Sequence, residues 1–154
     1  MIKLFRVDHR LIHGQVVFSW VKQYSINRII VADDIVPNNP MAKMALSMAK
    51  PTDCELDIVP INQVASVVEA NPKDQIMILA KGPVEALAVT EQLPEITEIN
   101  YGGVAKKDGS KQYGKTIFLN DEELEATRKI IAKNVKIVVQ QVPAVSPEKV
   151  DFNK

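Results

Sequence analysis

The sequence predicts an α/β fold: an open, mainly parallel sheet with helices on both faces. Two observations lead there. Short β-branched runs alternate with stretches of helical period, the pattern of successive βαβ units. Each run also has the length of a buried strand. With 154 residues, 46% of them hydrophobic and 25% charged, the chain has the size and composition of one globular domain spanning residues 1–154.

The first strand is expected over Ile2 to Val7. Val16, Val17, Trp20, Val21 and Tyr24 then recur at three- and four-residue spacing, which makes Gly14 to Tyr24 an amphipathic helix whose apolar stripe covers the sheet. Trp20 is its core anchor, and Phe18 lies off the stripe, as a docking residue or a half-buried rim residue. A second strand runs from Arg28 to Ala32 and a helix from Pro40 to Ala49, where Met41, Met44, Ala45 and Met48 share a face expected to be core. Glu55 to Val59 and Gln75 to Ala80 are the next strands, joined by a helix over Asn62 to Ala70.

A helix over Pro83 to Gln92 leads to a strand over Glu98 to Tyr101. From Gly102 to Lys115 the chain reads as an irregular, solvated connection rich in lysine: Lys106, Lys107, Lys111 and Lys115. Thr116 to Leu119 is a strand, and Asn120 with Glu123 forms a capping box opening a helix over Asp121 to Lys133, whose acidic first turn suits the positive helix end. Val135 to Val139 is the seventh strand, and the tail from Pro143 to Lys154 is expected to fray.

Nineteen basic and nineteen acidic residues balance, so no global field draws the protein to nucleic acid. The single cysteine, Cys54, cannot form an intrachain disulfide and reads as a small buried hydrophobe, consistent with a reducing compartment. Charges at Lys3, Arg6 and Asp8 interrupt the N-terminal apolar run too early for a secretory signal, and no apolar run approaches the ~20 residues of a membrane-spanning helix. A cytoplasmic location is expected.

Both histidines fall within Arg6-Val7-Asp8-His9-Arg10-Leu11-Ile12-His13-Gly14-Gln15, between the first strand and the first helix. Ligands of open α/β sheets bind at such carboxyl ends of strands. A phosphoryl group near His13 would meet the free N–H groups and dipole of the helix start. Arg10 offers a two-pronged guanidinium, Arg6 a second positive charge if the loop folds back, and Asp8 a carboxylate able to orient an imidazole or an arginine. Gly14 removes a side chain that could obstruct the backbone. Alternatives stand beside this: His13 as a cap or core hydrogen-bonding group, and His9 with His13 as zinc ligands, which no third ligand supports and Arg10 opposes. No G-x-S-x-G elbow, G-x-G-x-x-G or P-loop occurs, so no cofactor is expected. Three functions remain: a phosphoryl carrier, a non-covalent module that binds phosphorylated metabolites, and an isomerase using His13 as general base.

The run from Arg6 to Val16 with Trp20 closely resembles the signature of IIB components of the mannose/fructose/sorbose family of the bacterial sugar phosphotransferase system, and Asn100-Tyr101-Gly102-Gly103 resembles that family's Asn-x-Gly-Gly turn. The resemblance covers essentially the whole chain. It implies a twisted, mainly parallel sheet of seven strands, with the fourth and fifth flanking the first. His13 matches the phosphoacceptor and Arg10 the phosphate-binding arginine. Position 9, here histidine, is often aspartate in the family. Lys81, Asn100 and Gly102 would border the site, with Asp34 more distant. The implied partners are a IIA phosphodonor, the membrane components IIC and IID, and a sugar, for which the Val7-Asp8-His9-Arg10 variant resembles amino-sugar members and suggests N-acetylgalactosamine.

Overall fold

The computed structural model describes residues 1–154. Eight strands and five helices follow in the order β1 (Ile2–Asp8), α1 (Gly14–Tyr24), β2 (Arg28–Ala32), α2 (Pro40–Ala49), β3 (Glu55–Val59), α3 (Val64–Ala70), β4 (Ile76–Ala80), α4 (Pro83–Gln92), β5 (Glu98–Gly103), β6 (Lys111–Gly114), β7 (Ile117–Leu119), α5 (Asp121–Ala132) and β8 (Lys136–Val139). Short 3₁₀ turns at Val36–Asn38 and Ile61–Gln63 lead into α2 and α3. No helix is long and apolar enough to cross a membrane.

Six strands form one parallel sheet in the order β3-β2-β4-β1-β5-β8. The chain steps from β1 to one side for β2 and β3, returns for β4, and crosses to the other side for β5. The β1 carboxyl end therefore lies where the connections change direction, which is where open α/β sheets place ligands. The sheet's pleat divides the core. Phe5, Val7, Ile30, Ile78 and Ala80 pack against α3, α4 and α5, whereas Leu4, Ile29, Val31, Met77 and Leu79 pack against α1 and α2. Arg6 and Asp8 share the parity of Leu4 and face α1.

The expected seven-stranded sheet is corrected to six strands and a separate antiparallel hairpin of β6 and β7. Residues 116–119 lie across the end of β5, where Val104 N–H donates to the Thr116 carbonyl at 2.9 Å and Phe118 N–H to the Val104 carbonyl at 3.0 Å. That pairing takes β7 out of the sheet. The region Gly102 to Lys115 is likewise not one solvated loop: β5 extends through Gly103, β6 begins at Lys111, and Lys107 is tied to Glu123 at 2.8 Å and to the Phe118 carbonyl at 3.2 Å. The Asn-x-Gly-Gly segment belongs to strand β5 and is not a turn.

Two further expectations fail. Met41, Met44 and Met48 are 83%, 65% and 80% exposed, and α2 instead faces the sheet with Ala42, Leu46 and Ala49. Two apolar stripes run along this helix, and the one carrying Ala42, Leu46 and Ala49 turns toward the sheet. The tail is anchored where fraying was expected, since Phe152 is buried against Tyr101 and Tyr113 and Glu148 N–H donates to the Val139 carbonyl at 2.8 Å. The capping box of α5 is present in both directions, at 2.8 and 3.0 Å.

Gly14 has φ +44°, and a Cβ there would meet no atom within 4 Å. Its requirement is therefore backbone conformation and not space. Gly14→Ala should cost about 1–2 kcal/mol, the strain of a left-handed L residue. Urea titration measures it, and an unchanged midpoint would contradict the strain.

Candidate active site

The loop from Asp8 to His13 is held on both sides. Leu11 N–H donates to the Asp8 carbonyl at 2.9 Å and His9 N–H to the Gly103 carbonyl at 3.0 Å. Leu11 and Ile12 are buried among the α1 and α2 side chains. Leu11 is forced to φ +58°, an uncommon conformation for a bulky residue and of the kind that clusters at functional sites. His13 then caps α1 in extended conformation without a side-chain capping bond, so the first-turn N–H groups remain available to an anion.

Asp8 is the hub. Its side chain is fully buried, and its two oxygens accept five hydrogen bonds or close contacts: Oδ1 from Arg10 N at 3.0 Å and Arg10 Nε at 3.2 Å, Oδ2 from Arg6 Nη2 at 3.1 Å, Arg10 Nη2 at 3.3 Å and His13 Nε2 at 2.9 Å. Burial alone would raise its pKa. The Arg10 side-chain and backbone bonds, then His13, then the Arg6 charge outweigh burial and hold the carboxyl below its usual range.

That shift has a sign for stability. A carboxyl whose folded pKa lies below its unfolded value of about 3.9 stabilises the fold above that pH, and the contribution is lost as pH falls through the folded value. The stability gap between wild type and Asp8→Asn should accordingly be largest at pH 5 and above and shrink at more acidic pH. Thermal denaturation across that range measures the gap, and a constant difference would remove Asp8 as the source.

Among the other expected residues, the structure separates contact from proximity. Arg10 stays 44% exposed on its side chain while paired with Asp8. Arg6 is corrected: it does not fold back from a loop toward an external group but is 0% exposed within β1, bonded to Asp8, Asn100 Oδ1 and the Gln140 carbonyl. Asn100 and Gly102 border this guanidinium and make no hydrogen bond to the His13 side chain. At Gly102 the β1–β5 register shifts, Val7 facing Tyr101 and Asp8 facing Gly103, and a Cβ on Gly102 would collide with Arg6. Lys81 pairs with Asp33 at 3.6 Å, and Asp34 accepts from Ile61 N–H at 2.9 Å, so each has a partner other than His13. His9 is 39% exposed and its Nδ1 lies 3.9 Å from Asp8 Oδ1. No group of three or more His, Cys, Asp or Glu converges as a metal site would need.

The sequence reading missed Gln140 and Gln141, which follow β8. The Gln141 carbonyl accepts the Trp20 indole N–H at 3.0 Å, and its side chain donates to Thr116 Oγ1 at 2.7 Å and to the Gly102 carbonyl. Only the strand order reveals them, because β8 lies beside β5. Phe18, 43% exposed, lines a groove of about 770 Å³ with Gln15, Lys22, Val142 and Pro143.

A family model described as "PTS system sorbose subfamily IIB component" matches residues 2–153. The sorbose-specific EIIB component of Klebsiella pneumoniae is 32% identical over 151 residues, covering 94% of this chain and 92% of that protein. The mannose-specific EIIAB component of Escherichia coli (strain K12) is 31% identical over 145 residues, covering 92% of this chain and 45% of that protein, so the chain spans about half the length of this relative. The crystal structure of the IIBSor domain of the sorbose permease from Klebsiella pneumoniae superposes with a TM-score of 0.90 at 29% identity, covering 96% of this chain and 92% of that one.

Proposed function

This chain belongs to the sorbose-subfamily IIB components of the sugar phosphotransferase system, phosphoryl carriers of the mannose family, and from that premise we propose that His13 is the residue that carries the phosphoryl group. One observation supports the choice above the others. Asp8, ionised and able only to accept, lies 2.9 Å from His13 Nε2, so Nε2 bears the proton and Nδ1 keeps the lone pair. Nδ1 is then the nucleophile, beside the start of α1.

The lone pair of Nδ1 attacks phosphorus on the phosphohistidine of a IIA partner. A new N–P bond forms as the donor's N–P bond breaks and its electron pair returns to the donor imidazole. As positive charge develops on the His13 ring, Asp8 stabilises Nε2–H, while Arg10 and the α1 N–H groups face the dianion. Transfer to a sugar hydroxyl reverses the roles: an O–P bond forms as the Nδ1–P bond breaks, the electron pair of that bond returns to Nδ1, and the hydroxyl proton passes to a base outside this chain. The partners of this reading are a IIA domain and the membrane components IIC and IID, and the groove beside Phe18 is the contact surface we assign to them. Relatives named for sorbose and for mannose match almost equally, so the comparison selects no sugar.

Incubation with a phosphorylated IIA domain, followed by intact mass and gentle peptide mapping, tests the assignment. A gain of one phosphoryl group on His13 supports it; non-covalent retention of phosphate, or a label elsewhere, overturns it. Arg10→Lys should keep the fold and slow transfer by about tenfold, because lysine keeps the charge but loses the planar fork that bonds Asp8 and phosphate together. Quench-flow transfer with circular dichroism as the folding control measures this, and an unchanged rate would remove Arg10 from the site.

A further inference from the structure

An arginine at the centre of a sheet needs a reason. The Arg6 side chain is 0% exposed, and burial lowers its pKa despite the neighbouring Asp8. Its Nη1 donates to Asn100 Oδ1 and to the Gln140 carbonyl at 3.0 Å, its Nη2 to Asp8 at 3.1 Å, and the guanidinium lies 5.6 Å from the centre of the Trp20 ring with the Gly102 backbone close by. Nε is buried with no partner at all. A buried ion pair with an unsatisfied donor is commonly no more stable than an apolar replacement of similar volume, so stability alone is a weak account of this residue.

Geometry gives a better one. Arg6 Nη2 and His13 Nε2 meet on the same oxygen, Asp8 Oδ2. We propose that Arg6 is a positioning residue for phosphoryl transfer, acting on His13 only through Asp8 and held for that task by Asn100, Gln140 and Trp20. The inference rests on His13 being the acceptor and adds what keeps that histidine in one tautomer and one orientation. Arg10 cannot do this alone, because its guanidinium is half exposed and must also meet the incoming phosphoryl group. Arg6 is out of reach of solvent and fixed from three elements, β5, α1 and the residue after β8. Its charge also offsets part of the Asp8 charge, so Asp8 can accept from Nε2–H without drawing the proton away from the ring.

The test needs two arms. In the unphosphorylated protein, nitrogen NMR of the His13 ring should show the Nε2–H form in wild type, a mixture of tautomers in Arg6→Gln, and partial return to the Nε2–H form in Arg6→Lys. With phosphorylated IIA, Arg6→Gln should transfer at least tenfold more slowly than wild type, and Arg6→Lys should regain part of the rate. The ring measurement involves no phosphodonor, so failure of His13 as acceptor and failure of the Arg6 role read out separately. A folded Arg6→Gln with a single Nε2–H tautomer and a rate within twofold of wild type would overturn the proposal. If Arg6→Gln does not fold, Asn100→Ala decides by the same two readouts: a shifted ring signal with about fivefold slower transfer supports the proposal, and wild-type values for both overturn it.

Discussion

His13→Ala is expected to abolish phosphoryl uptake from a phosphorylated IIA domain, and with it sugar phosphorylation, while His9→Ala retains at least part of both. The two imidazoles stand four residues apart in one loop but in unlike surroundings. His13 places Nε2 2.9 Å from a buried carboxylate at the start of α1, whereas the nearest His9 nitrogen is 3.9 Å from the same carboxyl, beyond hydrogen-bond reach. Only His13 thus has a fixed tautomer and a helix end beside its free nitrogen. The labelled protein should lose its phosphoryl group in acid and keep it in mild base, as a phosphoramidate does and a phosphoserine does not. Full labelling of His13→Ala, or phosphate mapped to His9, would refute the assignment.

Trp20→Ala should destabilise the domain by about 3–5 kcal/mol, the usual cost of truncating a large buried aromatic. Trp20 is 3% exposed, stacks on Tyr24 with ring centres 6.1 Å apart, and donates its indole N–H to the Gln141 carbonyl. The substitution opens a cavity, leaves that carbonyl without its donor and removes the ring beneath Arg6. Urea titration measures the loss. A shift well under about 1 kcal/mol would mean that α1 does not depend on this anchor.

The element boundaries show what a sequence makes legible. The bounds of α1 follow from its apolar spacing and the start of α5 from its capping box, because both signals are local and chemically specific. The methionine face of α2 is misread because periodicity identifies a stripe without saying which of two apolar stripes turns inward. Residues 116–119 have strand character, yet the strand pairs with β6, a choice made by the tertiary neighbour Val104. At the site, Asp8, Arg10 and His13 stand together because a short loop brings them together. The burial of Arg6 and the involvement of Gln140 and Gln141 depend on β8 lying next to β5, and the bulge at Gly102 shows in the sequence only as two adjacent glycines.

The bonds that fix Arg6 and Trp20 also fix when the protein becomes competent. Arg6 is joined to Gln140 across 134 residues and Trp20 to Gln141 across 121, and the β1 partners, β4 and β5, begin only at residues 76 and 98. Such distant pairings make for slow folding, since a long loop must close before they form. During synthesis the His13 loop and α1 would emerge long before the residues that order them. A nascent chain would therefore display His13 before the residues that order its loop exist, and the arrangement of Asp8, Arg6 and His13 would be completed late, as β8 docks beside β5.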